Sequence, residues 1–456
     1  MSASITLPSH IPSISTGSYP VRPGNSVHPL IDGDAAFTRI CEAVENAAHS
    51  VWVTIAYLHP TFLMPGGRGS FFDVLDKAKA RGIDVRVIFW RTDRAVGAHF
   101  HGHAHERDWL AQRGSKFLAR WDRAHKTYCQ HQKSWLVDAG HPGETAFVGG
   151  INLNPASVSS QGHAERGGEH THDVYCEIRG PSATDVHHNF VQRWNEAGER
   201  IHDHGVWPAG SAQDNLMFPA KPSPETGTVI VQMQRTMREG VLSDGTPTPG
   251  GLPRDIATGE HTIFDQYIAA IDAAREAIYI EDQYIASPDV VVCLRRALER
   301  GVAVTFLCPA NPEQQVKDAR HNPVAKPFYD LIGSLGEFDG FLLAGIASPH
   351  TGEAVYVHDK IMLVDDCWAT IGSCNIASQS FFCDAELNAA IWDEAVVKEL
   401  RDDLLKEHLG IDTGSLDARA AMARYREIAR ANAVKRTRGD ALRGIAFALD
   451  PAKYGE

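Results

Sequence analysis

His131-Gln132-Lys133-Ser134-Trp135-Leu136-Val137-Asp138 and His358-Asp359-Lys360-Ile361-Met362-Leu363-Val364-Asp365 are two copies of one pattern, His-x-Lys-x(4)-Asp. Each sits in a short β-type run, Trp135 to Val137 after the first pair and Val355 to Val364 around the second. Residues i and i+2 of a strand share a face, so each His and its Lys are expected to project side by side. Asp138 and Asp365 fall where the run ends, and are expected to tie down a turn rather than touch a substrate. Each copy leads to a small-residue turn with an asparagine, Gly149-Gly150-Ile151-Asn152 and Gly372-Ser373-Cys374-Asn375.

Chance does not produce this pair. With 23 His in the chain, composition gives about one His-x-Lys; requiring the Asp lowers the expectation to roughly a few hundredths, and two copies to ~10⁻³. The copies are also in register with their surroundings. His131 and His358 are 227 residues apart, and so are the similar segments that begin at Ala43 and Ala270 (358 − 131 = 270 − 43 = 227). One long period with two copies predicts a duplicated, two-lobed, pseudo-symmetric protein rather than a solenoid.

The chain has 456 residues, enough for two lobes with separate cores, and 43% hydrophobic with 22% charged residues is ordinary for a globular protein. A net charge of −13 argues against general affinity for nucleic acid, whose phosphates call for a basic surface. Eight scattered cysteines without a C-x-x-C pair read as reduced, mostly buried thiols. Met1 to Tyr19 shows neither a basic n-region nor an apolar core, and no run approaches the ~18 apolar residues of a membrane span. The expectation is a cytoplasmic protein, with signal-independent export left open.

The pattern divides into an extended arm over residues 1–29, a first lobe over 30–206, a linker over 207–227, a second lobe over 228–410 and a helical segment over 411–456. Each lobe alternates helix and strand, which predicts a mixed α/β architecture. In the first, Gly33 to Ala48 reads as helix, Val51 to Leu58 and Val85 to Trp90 as strands, Val174 to Ile178 as a strand and Val186 to Glu196 as a helix. Thr262 to Arg275, Ala277 to Ile285, Val290 to Glu299 and Val302 to Leu307 repeat the rhythm. Glu394 to His408 and Ala418 to Val434 read as helices, the latter amphipathic and packed on the body. Residues 59–72 carry Phe62, Leu63, Met64, Phe71 and Phe72, which either line a lipid-binding mouth or lie buried under neighbouring elements. His99, His101, His103 and His105 alternate, but spacing alone makes a polar loop the expectation there rather than a metal site.

Two His-Lys pairs from related lobes suggest one site at the pseudo-twofold axis. Facing imidazoles suit a two-step displacement, in which one attacks while the other protonates the leaving group and then activates the incoming hydroxyl. Lys133, Lys360, Asn152 and Asn375 would converge on phosphate oxygens and stabilise a five-coordinate transition state. Each imidazole needs a carboxylate behind it to fix its tautomer. Asp173 and Glu386, each after its motif near the start of the next strand, are assigned that task. The longer first gap is filled by the Gly- and His-rich loop Gln161 to His172. The scheme needs no metal and no cofactor, since two Lys supply the positive charge.

These motifs resemble the phospholipase D superfamily, whose pattern is His-x-Lys-x(4)-Asp followed by a Gly/Ser-rich turn with Asn, twice in the lipid-acting members. Ile278-Tyr279-Ile280-Glu281-Asp282-Gln283-Tyr284 looks like the segment before the second motif of eukaryotic-type enzymes, and the likeness runs from about Asp32 to Gly410. It implies an α-β-α sandwich in each lobe, a covalent phosphohistidine, and hydrolysis or transphosphatidylation of phosphodiesters, with His131 as nucleophile and His358 as acid and base. It also implies a phospholipid substrate met by peripheral contact with a membrane, no nucleic acid, and a monomer carrying both motifs. Departures are Asp282, where the family shows Asn, and the loops at 94–106 and 155–170. Hydrolysis to phosphatidic acid is the expected reaction. A phosphatidyltransferase or lipid synthase of the same superfamily, a nuclease-type phosphodiesterase, and a zinc hydrolase built on the 99–105 cluster are the alternatives.

Overall fold

The computed structural model describes residues 6–92, 100, 104–123, 129–165, 168–197, 206–207 and 214–456. Its central feature is a repeated sheet. In the first lobe seven strands lie in the order Leu118–Arg123, Asp84–Arg91, Ser50–Ile55, Ser134–Val137, Thr145–Gly149, Val174–Arg179 and Arg22–Ile31. In the second the same places are taken by Phe341–Ile346, Ala303–Leu307, Ala277–Asp282, Lys360–Val364, Trp368–Gly372, Glu386–Trp392 and Val229–Met237. In each, the three outer strands are parallel and the motif strand turns the sheet antiparallel. Arg22 and Asn25 also pair with Val231 and Val229, which joins the sheets at their inner strands.

Burial explains why these residues form these elements. The parallel strands are covered on both faces and read as apolar runs, as Ser50–Ile55 and Ala303–Leu307 do, buried throughout. Helices Gly33–Asn46 and Phe71–Ala80 cover the outer face of the first sheet, and Thr262–Ala273, Pro288–Glu299 and Lys326–Leu335 that of the second. A third core lies between the lobes. It packs Ala146, Val148, Cys176 and Ile178 with Ile371, Leu387, Ala389 and Ile391, and takes in helices Ala183–Glu196 and Glu394–Leu409. Each lobe is an α-β-α sandwich.

Several expectations change. Within the stretch expected as an extended arm, Arg22–Ile31 is an inner strand of the first sheet. The segment before it lies along the second lobe, with Ile11 carbonyl accepting from Trp392 Nε1 at 2.9 Å and His10 2.9 Å from Asp365. Beyond 411, helix Ala418–Arg438 buries Ala421, Met422 and Tyr425, and strand Ala446–Leu449 extends the second sheet along Phe341–Ile346. Residues 214–227 are bound to the first lobe, where Trp194 Nε1 donates to the Asp214 carbonyl at 3.0 Å. Phe62, Met64, Phe71 and Phe72 are buried, and only Leu63 of that apolar group, 62% exposed, faces outward, so the buried alternative holds there. His99, His101 and His103 lie outside the described residues; His105 is exposed. All eight cysteines are free thiols.

Candidate active site

Neither motif is one continuous strand. His131, Gln132 and Lys133 precede Ser134–Val137, and the second run breaks at His358-Asp359 between Tyr356–Val357 and Lys360–Val364. The histidine backbones pair across the lobes instead. The His131 N–H donates to the carbonyl of Ala385, just before Glu386, at 3.0 Å. That of His358 donates to the carbonyl of His172, just before Asp173, at 2.8 Å. Short parallel contacts, Gln130 with Ala385 and Tyr356–Val357 with Thr171–His172, hold both crossings.

The carboxylates follow the backbone. His131 Nδ1 lies 2.9 and 3.1 Å from the Glu386 oxygens, and His358 Nδ1 lies 2.5 Å from Asp173 Oδ2. Each imidazole therefore has its carboxylate from the opposite lobe. The pairing leaves both Nε2 atoms facing a shared cavity of about 1070 Å³ whose lining includes His131, Asn152, His358 and Asn375. Asn152 Nδ2 is 3.3 Å from His358 Nε2, the contact expected if Nδ1–H points at Asp173 and Nε2 is an acceptor.

Both lysines are buried beneath the cavity. Lys133 Nζ donates to the His131 carbonyl at 2.7 Å, and Lys360 Nζ donates to the His358 carbonyl and to Gln283 Oε1. Burial beside these ammonium groups holds both imidazoles well below their usual range, hence neutral. Burial pushes Lys133 down to about 8 and Glu386 up to about 8, against the pull of Lys133 on the carboxyl. Asp173 is raised to about 7 by burial, with Lys360 opposing.

The motif aspartates tie down turns. Asp138 Oδ1 accepts from the N–H groups of Ala48, His49 and Ser50 at 3.0, 2.6 and 3.1 Å. Asp365 accepts from Arg275, Glu276 and Ala277, each at 2.8 Å. Both adopt positive φ, 56° and 52°, where Asp is among the better tolerated side chains. The turn glycine Gly150 permits close approach, since a Cβ there would stand 2.3 Å from Asp173 Oδ1. Its counterpart Ser373 donates to Glu386 Oε2 at 2.6 Å. Asp282, the departure from the family pattern, accepts from Tyr284 N and Ile376 N, both at 2.9 Å, and so fixes the turn after Asn375 without entering the cavity.

Sequence reasoning missed one wall. Gln283 Nε2 donates to Tyr356 Oη at 2.6 Å and to Glu313 Oε1 at 2.9 Å, and Tyr284 Oη donates to Glu313 Oε2 at 2.7 Å. The Glu-Asp-Gln-Tyr stretch was the available signal, but Glu313 arrives from a separate loop. Ile285, Val316, Ala319, Ala325 and Phe328 form an apolar part of the lining, and Val324, next to Ala325, is 87% exposed.

A family model described as "Cardiolipin synthase, PLD-like domain" matches residues 40–194 and 267–407, and one described as "Phospholipase D" matches 156–290. The chain belongs to the phospholipase D superfamily. Among its relatives is cardiolipin synthase A of Pseudomonas fluorescens (strain SBW25), 25% identical over 431 residues, covering 91% of this chain and 74% of that protein. Phospholipase D A of Dictyostelium discoideum is also 25% identical, over 86% of this chain but only 36% of its own length. A solved structure, phosphatidylserine synthase of Haemophilus influenzae Rd KW20, superposes with a TM-score of 0.55 at 13% identity, covering 91% of this chain and 95% of that one. It shares the phospholipase D fold. As a superfamily member with both motifs intact, the chain is an enzyme. No described helix is long and apolar enough to cross a membrane.

Proposed function

We propose that this protein is a phosphatidyltransferase, moving a phosphatidyl group from a phospholipid to an alcohol through a covalent phosphohistidine. The observation that carries the reading is the crossed arrangement of two His–carboxylate pairs around one cavity. His131 Nε2 attacks phosphorus, the P–O bond to the departing alcohol breaks, and His358 supplies that alcohol's proton. His358 then takes the proton of the incoming hydroxyl as its oxygen displaces His131. Lys133, Lys360, Asn152 and Asn375 hold the non-bridging oxygens. The phosphate charge offsets the two ammonium groups, so the imidazoles regain proton affinity when substrate is bound. The apolar side of the cavity suits acyl chains of a lipid met at a membrane surface.

An alcohol acceptor is preferred to water, the first expectation, because the relatives named as cardiolipin synthases include one matched over most of its own length. Hydrolysis uses the same intermediate with water, and the similarity to phospholipase D A favours it as the second reading. Incubation with phosphatidylglycerol vesicles, with and without ethanol, tests the choice. A diphosphatidyl product, diverted to phosphatidylethanol when ethanol is present, is expected. Phosphatidic acid as the main product at every ethanol concentration would establish the hydrolase instead. Inversion at a chiral phosphorus would remove the covalent scheme altogether.

A further inference from the structure

Behind the His358–Asp173 pair lies a second cluster that the reaction does not use. The Asp32 side chain is 1% exposed, that of Glu407 3%, and those of His163 and His172 are fully buried. Asp32 directly follows the inner strand Arg22–Ile31 of the first lobe, His163 and His172 come from the stretch between Asn152 and Asp173, and Glu407 projects from helix Glu394–Leu409 of the second lobe. His163 Nε2 is 3.3 Å from His172 Nδ1, 3.4 Å from Glu407 Oε1 and 3.6 Å from Asp32 Oδ2. His172 Nδ1 is 2.9 Å from Asp32 Oδ1 and 3.8 Å from Glu407 Oε1. A tetrahedral ion with bonds of about 2.0–2.1 Å sets its ligand atoms about 3.3 Å apart.

Hydrogen bonding alone does not satisfy this cluster. His172 Nδ1 carries at most one proton, yet it faces the Asp32 oxygen, the His163 nitrogen and the Glu407 oxygen together. Asp32 Oδ2 and Glu407 Oε2 are buried with no hydrogen-bond partner. The ion pairs of both carboxylates among the described residues are to imidazoles alone. Unpaired buried carboxylate oxygens are costly, and a cation shared among four ligands removes the deficit. On its other side His172 Nε2 lies 3.1 Å from Glu281 Oε2, the carboxylate–imidazole contact that orients a metal-ligating histidine.

We propose that Asp32, His163, His172 and Glu407 bind one zinc-class divalent cation, which clamps the first-lobe loop and the second-lobe helix together behind the His358–Asp173 pair. The ion has a positioning role. His172 precedes Asp173 in the chain, its carbonyl receives the His358 N–H, and Asp32 N donates to the Asp173 carbonyl at 2.8 Å, so fixing these ligands fixes the catalytic pair. This also gives a use to the longer gap between Asn152 and Asp173, for which the second lobe has no equivalent.

The full chain, stripped with a strong chelator and dialysed, should take up about one zinc ion per chain by elemental analysis, with Tm rising by several degrees on reloading. Cobalt(II) in its place should give the intense visible absorption of a four-coordinate site. His163→Gln and Glu407→Gln should each reduce bound metal at least tenfold and make Tm indifferent to zinc. A wild-type chain that takes up neither ion would overturn the proposal, and so would both variants binding as wild type. None of these readouts depends on which reaction the enzyme catalyses.

Discussion

The two halves of the candidate site are alike at the cavity and unlike behind it. At the front, His131–Glu386 and His358–Asp173 are the same device, each crossing from one lobe to the other. Behind, the second lobe neutralises its buried Glu260 with a guanidinium, Arg235 Nε at 2.9 Å, itself tied to Tyr19 and Gln192. Behind Asp173 the buried carboxylates Asp32 and Glu407 have, among the described residues, imidazoles and backbone N–H groups as partners but no guanidinium or ammonium. Duplication kept the His–carboxylate pair in both halves, and left each to find its own solution for buried charge. The difference teaches that symmetry here is a property of the chemistry, not of the scaffold.

The largest effect should come from breaking the front. His131→Ala and His358→Ala are each expected to lower turnover by about 10³-fold or more, because the displacement needs both groups. Near-normal turnover in either variant would refute a shared site. Next come the carboxylates, where the crossing itself can be tested. Glu386→Gln and Asp173→Asn should fold normally and lose about 10²–10⁴ in rate through a misdirected tautomer. With Glu386 serving the nucleophile, Glu386→Gln should slow formation of the phosphohistidine, seen as loss of rapid-quench label. Asp173→Asn should let label build up on His131, and a reversed pattern would exchange the two histidines' roles.

Smaller effects concern stability and pH. Asp138→Ala and Asp365→Ala each remove an acceptor for three backbone N–H groups, at a cost of about 1–3 kcal/mol readable by denaturant unfolding. Asp365 also holds His10 at 2.9 Å, so its loss should be the larger, and equal losses would show that the N-terminal segment contributes little. The smallest effect separates the lysines. Lys133, lowered to about 8, loses its proton as pH rises through that value, and with it the charge proposed to hold phosphate. kcat/KM should fall above about pH 8 while the Lys133 contribution to stability rises, because the unfolded chain keeps that proton to higher pH; a flat activity profile to pH 9 would show that Lys133 does not supply the charge.

The residues of the site were legible because the chemistry repeats. A His-x-Lys pair, a later carboxylate and a turn asparagine recur at matching places, and the 3.6- and 2-residue periods of their neighbours gave most helices and strands within a few residues. Arg22–Ile31 was hidden because Pro23, Gly24 and Pro29 read as loop, while its strand geometry is imposed by partners on both sides. Residues 59–72 show the same limit, since an apolar loop has one composition whether buried or exposed.

What the sequence determined by itself was the duplicated α/β plan and the two His-x-Lys motifs, because local periodicity and a repeated motif are properties of single segments. What only the tertiary structure decided was the partnership between them. Glu386 lies 255 residues from His131 and serves it, Asp173 lies 185 residues from His358 and serves that, and His163 meets Glu407 across the same interface. Such pairings depend on how two apolar sheet faces pack together. Packing of that kind is set by shape and burial over the whole chain, and no spacing along the chain records it.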